Sequence, residues 1–286
     1  MKKNKNSSFL KIFFVSLIFF SIVLFLANTI LNKTGDNFRI LVLGVDSKDY
    51  KINKSVRSDT IMLVDLDSKT GKINIVSIPR DTRTPIKGRK NQEKINHSFA
   101  YGGAELTLQT VSELLNIQID NYLVVDYKAV SEYIDLIGGV ELYVPMDMKY
   151  SDPVADPPLL IDLKEGEQNL DGDKALQYLR FRKGYKNADI GRIQAQQTFL
   201  KAMIKQSIKP SIIFKIPKIT KIYKENIETN LPLLDAFKEA VLFFKYDLDN
   251  IESFTLKGQS KTIGGVSYYI LDESGLVDLL NNNILK

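Results

Sequence analysis

Apolar residues fall along this chain in three distinct periods, and each period predicts a different element. From position 12 to 32 the run IFFVSLIFFSIVLFLANTILN carries no charge, and only Ser16, Ser21, Asn28, Thr29 and Asn32 interrupt it. Short apolar runs over 38–45 and 60–66 read as largely buried strands. Residues 72–78 alternate, and the turn signal Ser68-Lys-Thr-Gly71 before them predicts a hairpin with the second run. Over 104–115 the period lengthens to that of a helix, with Leu106, Leu108, Val111, Leu114 and Leu115 forming one stripe. A strand over 119–125, a helix over 128–137 stopped by Gly138-Gly139, and a strand over 140–144 ended by Pro145 come next. Residues 146–169, rich in Asp and Pro, predict a loop. Helices follow over 172–181, 188–207 and 232–245, then a strand over 251–256 and a strand–helix pair over 266–284. Strands alternating with helices predict an α/β domain, and the last strands are too few to form a sheet of their own.

As a helix the uncharged run would be roughly 30 Å long, the thickness of a bilayer's hydrocarbon core. It is longer than the 7–15 apolar residues of a cleaved signal peptide, and no small-residue cleavage site follows. The expected organisation is a basic cytoplasmic tail over 1–11, a transmembrane anchor over 12–32 and an extracellular domain over 36–286. Lys2, Lys3 and Lys5 favour an amino terminus that stays in the cytoplasm.

Charge adds one exclusion. The chain of 286 residues has a net charge of +5, and five lysines within residues 1–35 account for all of it. The body that follows is formally neutral, which does not suit a nucleic-acid binder. There is no cysteine and a single histidine, His97. Disulfides, thiolate chemistry and His-rich zinc sites are thereby excluded, leaving carboxylates, arginines, lysines and hydroxyls.

Those residues gather at predicted element ends. Asp46 follows the first strand and Asp59 precedes the second, positions that suit a hard cation such as Mg²⁺ and equally suit turn and cap chemistry. Arg57, Arg80, Asp81 and Lys94 lie in adjoining loops, where a planar guanidinium can grip two phosphate oxygens at once. Arg180 and Arg182 would point about 200° apart in a continuous helix, so their joint use requires the helix to end near Leu179. Asp189, Arg192 and Gln196 fall at i, i+3 and i+7 on one face of the next helix.

Together, Val42-Leu-Gly-Val-Asp46, Arg57-Ser-Asp-Thr60, Ile78-Pro-Arg-Asp-Thr82, Lys94-Ile-Asn96, Gly138-Gly-Val140, Leu170-Asp-Gly172, Arg180-Phe-Arg182 and Asp189-Ile-Gly-Arg-Ile-Gln194 resemble, in order, the motifs of the LytR-CpsA-Psr family of cell-wall polymer ligases. The resemblance covers residues 38–205. It implies a central mixed β-sheet with helices on both faces and an apolar lipid pocket, preceded by one transmembrane helix. It implies Asp46 and Asp59 as metal-associated carboxylates holding Mg²⁺. Arg57, Arg80, Arg180, Arg182 and Arg192 are implied as pyrophosphate-binding arginines, with Asp81, Lys94, Asp189 and Gln196 in support.

The activity so implied is transfer of an anionic glycopolymer, of teichoic acid or capsule type, from a polyprenyl pyrophosphate carrier to peptidoglycan. The partners are the lipid-linked glycopolymer, the peptidoglycan acceptor and the membrane, with no nucleic acid. Arg80, Asp81, Asp189 and Arg192 are the expected catalytic set. Two alternatives stay open on the residues alone: a pyrophosphatase or phosphatase using water at the same site, and a non-catalytic glycopolymer-binding regulator.

Overall fold

A computed structural model describes residues 37–45, 56–67, 70–154, 159–182, 184–185, 188–207, 209–242, 246, 248 and 250–272. The expected anchor, Asp46 and the carboxy-terminal helix lie outside the described residues.

Strict alternation in the first strand places two layers of core on either side of it. β1 (Phe38–Val45) sits between β2 (Ser58–Leu66), antiparallel, and β6 (Asn121–Val125), parallel. Its Leu41, Leu43 and Val45 join Ile61, Leu63 and Val76 in one buried cluster, and Phe38, Ile40 and Val42 join Met62, Val64 and Ile75 in another. β3 (Ile73–Ser77) pairs with β2 as the hairpin signal requires. The sheet is completed by β11 (Ile227–Thr229) beside β6 and β12 (Ile251–Thr255) beside β3, giving the order β11-β6-β1-β2-β3-β12. The tail therefore belongs to the same core, as its few strands suggested.

Helices cover both faces. α1 (His97–Leu115) lays Val111 and Leu115 on the first cluster, and α4 (Ala188–Ser207) lays Leu200 and Ile204 on the other. α1 begins seven residues earlier than its apolar stripe suggested. A kink at Gly102 and Gly103 (φ 66°) separates its first turn from the periodic segment, and glycine is the residue that accepts such a backbone at no steric cost.

The expected loop over 146–169 is instead three strands: β8 (Met148–Asp152), β9 (Leu159–Leu163) and β10 (Gly166–Leu170). β8 pairs with β9, and β10 pairs with β7 (Val140–Val144). Composition hid them because only Met148, Ile161, Leu163 and Leu170 need be buried, and the Asp-Pro stretch merely links β8 to β9. They form a further core with α2 (Tyr127–Ile137), α3 (Gly172–Arg180) and the outer side of α4, through Ala195 and Phe199. α4 is thus buried on two sides, which is why its apolar residues do not form one stripe.

Two hairpins lie outside the main sheet. β4 (Arg83–Thr84) pairs with β5 (Glu93–Lys94), and β13 (Gly258–Ile263) pairs with β14 (Val266–Leu271). The Tyr269 N–H donates to the Asp81 carbonyl at 2.8 Å, tying the second hairpin to the loop after β3.

Candidate functional site

β1, β3, β6 and β12 run parallel to one another, so their carboxyl ends and the start of β2 share one edge of the sheet. Ligand sites in α/β sheets lie at such an edge. Gly44 lets the two central strands close there, since a Cβ at that position would stand 2.9 Å from the Thr60 Cβ.

Asp59 is the hub. Its Oδ1 accepts from Arg80 Nη1 at 2.6 Å and its Oδ2 from Arg182 Nη2 at 3.1 Å. Arg192, 3% exposed, approaches the Asp59 carbonyl oxygen with Nη2 at 3.5 Å. Three arginines distant in sequence thus surround one residue. α3 ends at Arg180 and Phe181 is extended (φ −66°, ψ 128°). That break turns Arg182 back to Asp59 while Arg180 lies over the Tyr127 ring, 4.8 Å from its centroid. The structure therefore groups Arg80, Arg182 and Arg192 around Asp59 and gives Arg180 a different contact.

Asp59, Arg80, Arg192 and Gln196 line a narrow cleft with Ile61, Ile78 and Ile193. α4 begins at Ala188, one turn before Arg192, and the unpaired N–H groups of a helix start favour an anion. Asp189 belongs to that turn, but its side chain is not among those described.

Lys94 pairs with Asp81 at 2.8 Å and so takes up the loop's second carboxylate. Arg57 is exposed near the edge, close enough to Tyr101 for its charge to bear on the phenol. Beside it, Glu93 accepts from Tyr101 Oη at 2.6 Å and Arg89 Nε at 2.9 Å, and its Oε2 lies 3.0 Å from His97 Nδ1. The His97 and Tyr101 hydrogen bonds, with help from Arg89, lower the Glu93 carboxyl to about 2.

Several residues that shape the site carry no sequence signal of their own. Gln197 Nε2, buried, donates to the Ser77 hydroxyl at 2.9 Å and the Phe254 carbonyl at 2.8 Å, fixing α4 to β3 and β12. Tyr185 packs against Gly191, where a Cβ would meet its own Cβ at 2.4 Å. The Tyr185 hydroxyl is buried without a hydrogen-bond partner, and burial raises its pKa. Tyr178, behind it, is pushed up to about 12 by burial. Tyr127 could have been suspected from its place just after the end of β6.

Asp59 is the carboxylate that lines the cleft, and no cluster of three acidic or histidine side chains exists among the described residues. That donor set fits Mg²⁺, which keeps most of its waters and needs one or two carboxylates alongside substrate phosphates. Two guanidiniums on Asp59 would repel a bare cation and accept one that arrives with a diphosphate.

Known proteins share this fold. The TagU polyisoprenyl-teichoic acid–peptidoglycan teichoic acid transferase of Halalkalibacterium halodurans is 35% identical over 239 residues, 83% of this chain and 75% of that protein. The crystal structure of TagV from Bacillus subtilis superimposes with a TM-score of 0.72 at 30% identity, covering 86% of this chain and 95% of that one. A structure of TagT bound to LIIa-WTA gives a TM-score of 0.70 at 30% identity, over 86% of this chain and 89% of that one. The sequence model of the LytR_cpsA_psr family matches residues 20–284, from within the apolar run to the tail. With its ordered motifs, its mixed sheet and its arginine-ringed Asp59 accounted for together, the chain belongs to the LytR-CpsA-Psr family.

Proposed function

We propose that this protein is a membrane-anchored phosphotransferase that moves an anionic glycopolymer from a polyprenyl pyrophosphate carrier to peptidoglycan outside the cell. The observation that carries the reading is the convergence of Arg80, Arg182 and Arg192 on Asp59 beside the start of α4. A site rich in fixed positive charge and N–H donors, with no thiol available, suits phosphoryl transfer, where catalysis is mostly positioning and charge stabilisation.

In the proposed reaction an acceptor sugar hydroxyl forms a bond to the polymer-side phosphorus. The bond from that phosphorus to the bridging oxygen breaks, and polyprenyl phosphate leaves with the electron pair. Arg80 and Arg182 turn from Asp59 towards the equatorial oxygens, and Arg192 holds the bridging oxygen against the start of α4. Arg57 and Arg180 bind the outer phosphate oxygens, and Lys94 and Gln196 support the headgroup. The hydroxyl proton passes to a carboxylate, for which Asp189 is the proposed acceptor and Asp81 the runner-up. Asp59, together with Asp46, would hold Mg²⁺, which supplies charge neutralisation on the diphosphate. The lipid tail would enter the apolar interior lined by Tyr178, Phe181, Tyr185 and Phe199, and the run over 12–32 would anchor the chain.

The test uses the full chain with a lipid-linked teichoic acid donor, with and without peptidoglycan. Arg182→Ala and Asp59→Asn are expected to lower transfer about 10²–10³-fold, with unchanged circular dichroism. Full transfer by either folded variant would overturn the site. Phosphate release that needs no peptidoglycan would replace the ligase reading with a hydrolase.

A further inference from the structure

The sheet has a second edge, opposite Asp59, and three segments bring unusual surface to it. β1 starts there, at Phe38, only six residues after the uncharged run that ends at Asn32. An extended chain of six residues spans at most about 22 Å. β11 runs antiparallel to β6, so Asn230 reaches the start of β6, where its side chain accepts from the Tyr122 N–H at 2.9 Å and donates to the Asp120 carbonyl at 2.7 Å. Just beyond it α6 (Leu233–Leu242) begins, with Leu234 75% exposed.

The third segment is the helix before β11. α5 (Ile216–Asn226) folds back along that strand, because the Tyr223 hydroxyl donates to the Leu231 carbonyl. Its last residue, Asn226, lies by Lys128 at the start of α2, so its first turn and the 3₁₀ turn Pro210–Lys215 lead towards the second edge. Phe214, in that turn, is 89% exposed. Lys209, Lys218 and Lys221 are exposed nearby along the chain, Lys221 within 3.9 Å of Glu225, while Lys224 lies at the far end of the helix beside Asn226.

We infer that this edge is a docking surface for an anionic phospholipid bilayer, with Phe214 and Leu234 entering the interface and the α5 lysines lying on the headgroups. The inference rests on the anchored reading above, which places the bilayer within reach of Phe38. A soluble polyanion would call for cations alone. An exposed aromatic and an exposed leucine beside a lysine row are the surface of an interfacial segment.

The chain has no cysteine, so single-cysteine variants can be labelled cleanly. Phe214→Cys and, as a control on the exposed loop at the opposite edge, Lys90→Cys would carry a polarity-sensitive fluorophore. The full chain would be reconstituted into vesicles of phosphatidylcholine alone or mixed with phosphatidylglycerol. The probe at 214 should blue-shift and be quenched by brominated lipid only with phosphatidylglycerol present, while the probe at 90 should not respond. Neutralising Lys218 and Lys221 by Lys218→Gln and Lys221→Gln should lower the docked fraction about five-fold per lysine.

A probe at 214 that stays in water, in chains that resist alkaline extraction, would overturn the docking and leave the anchor standing. Chains extracted by alkali would overturn both. A probe that responds to soluble poly(glycerol phosphate) and not to brominated lipid would assign the face to a polymer and overturn the docking.

Discussion

At the scale of single residues, the site is a balance between one carboxylate and the guanidiniums it holds. Asp59 is 26% exposed and Arg80 24%, so their 2.6 Å pair is only partly shielded from water. An exposed pair of this sort contributes little to stability, about 0–1 kcal/mol, and its value lies in holding two forks at a fixed spacing. Glu93 makes a different contribution. Its carboxyl sits near 2, below the ordinary 4.5, because His97, Tyr101 and Arg89 all favour the charged form. The folded protein therefore binds that proton less readily than the unfolded chain. The stability so gained is present above pH 4.5 and is lost as pH falls towards 2. Glu93→Gln should lower the melting temperature at neutral pH and flatten its decline over that window. An acid-unfolding profile superimposable on wild type would show that the cluster is not coupled to folding. None of these three partners was legible as a cluster in the sequence, because the β4–β5 hairpin and the turn of α1 before its kink bring them together.

Among the elements, α4 decides most. It touches the sheet through Leu200 and Ile204 and the outer core through Phe199, and it carries Arg192 and Gln196 into the cleft. Gly191 looks like a defect within this helix, since glycine in a helix interior costs about 1 kcal/mol relative to alanine. The contact with Tyr185 reverses the expectation: a Cβ would lie 2.4 Å from the tyrosine Cβ. Gly191→Ala should destabilise the protein by about 1–3 kcal/mol and impair transfer by shifting Arg192. A rise in melting temperature would refute the close approach. The helix limits themselves were readable, because Gly184 and the paired arginines required a break after Leu179, and α3 ends at Arg180. The three strands β8, β9 and β10 were not readable, since few of their side chains are buried and the prolines between β8 and β9 signal a loop.

Over the whole molecule, the two ends of one sheet differ. Strand order puts the arginines and Asp59 at one edge and the start of β1 at the other. If a divalent cation bridges Asp59 and a diphosphate, chelation with EDTA should abolish transfer by the full chain, and Mg²⁺ should restore it. Donor binding should weaken in parallel, measured with lipid-linked substrate in the absence of acceptor. Unchanged turnover in EDTA would remove the metal from the scheme and leave the arginines alone to neutralise charge.

The sequence by itself determined the periodicities, the order of strands and helices up to Val144, the neutral body behind a basic amino terminus, the absence of thiol chemistry and the family. These are local or compositional properties, and apolar spacing or a motif's order expresses them without reference to neighbours in space. Only the tertiary structure decided that Arg182 and not Arg180 meets Asp59, that Lys94 meets Asp81, that Gln197 fixes α4 and that Phe214 stands in solvent. Those outcomes depend on chain direction at helix ends and on packing between elements more than a hundred residues apart, where a rotation of one residue sends a side chain to another face.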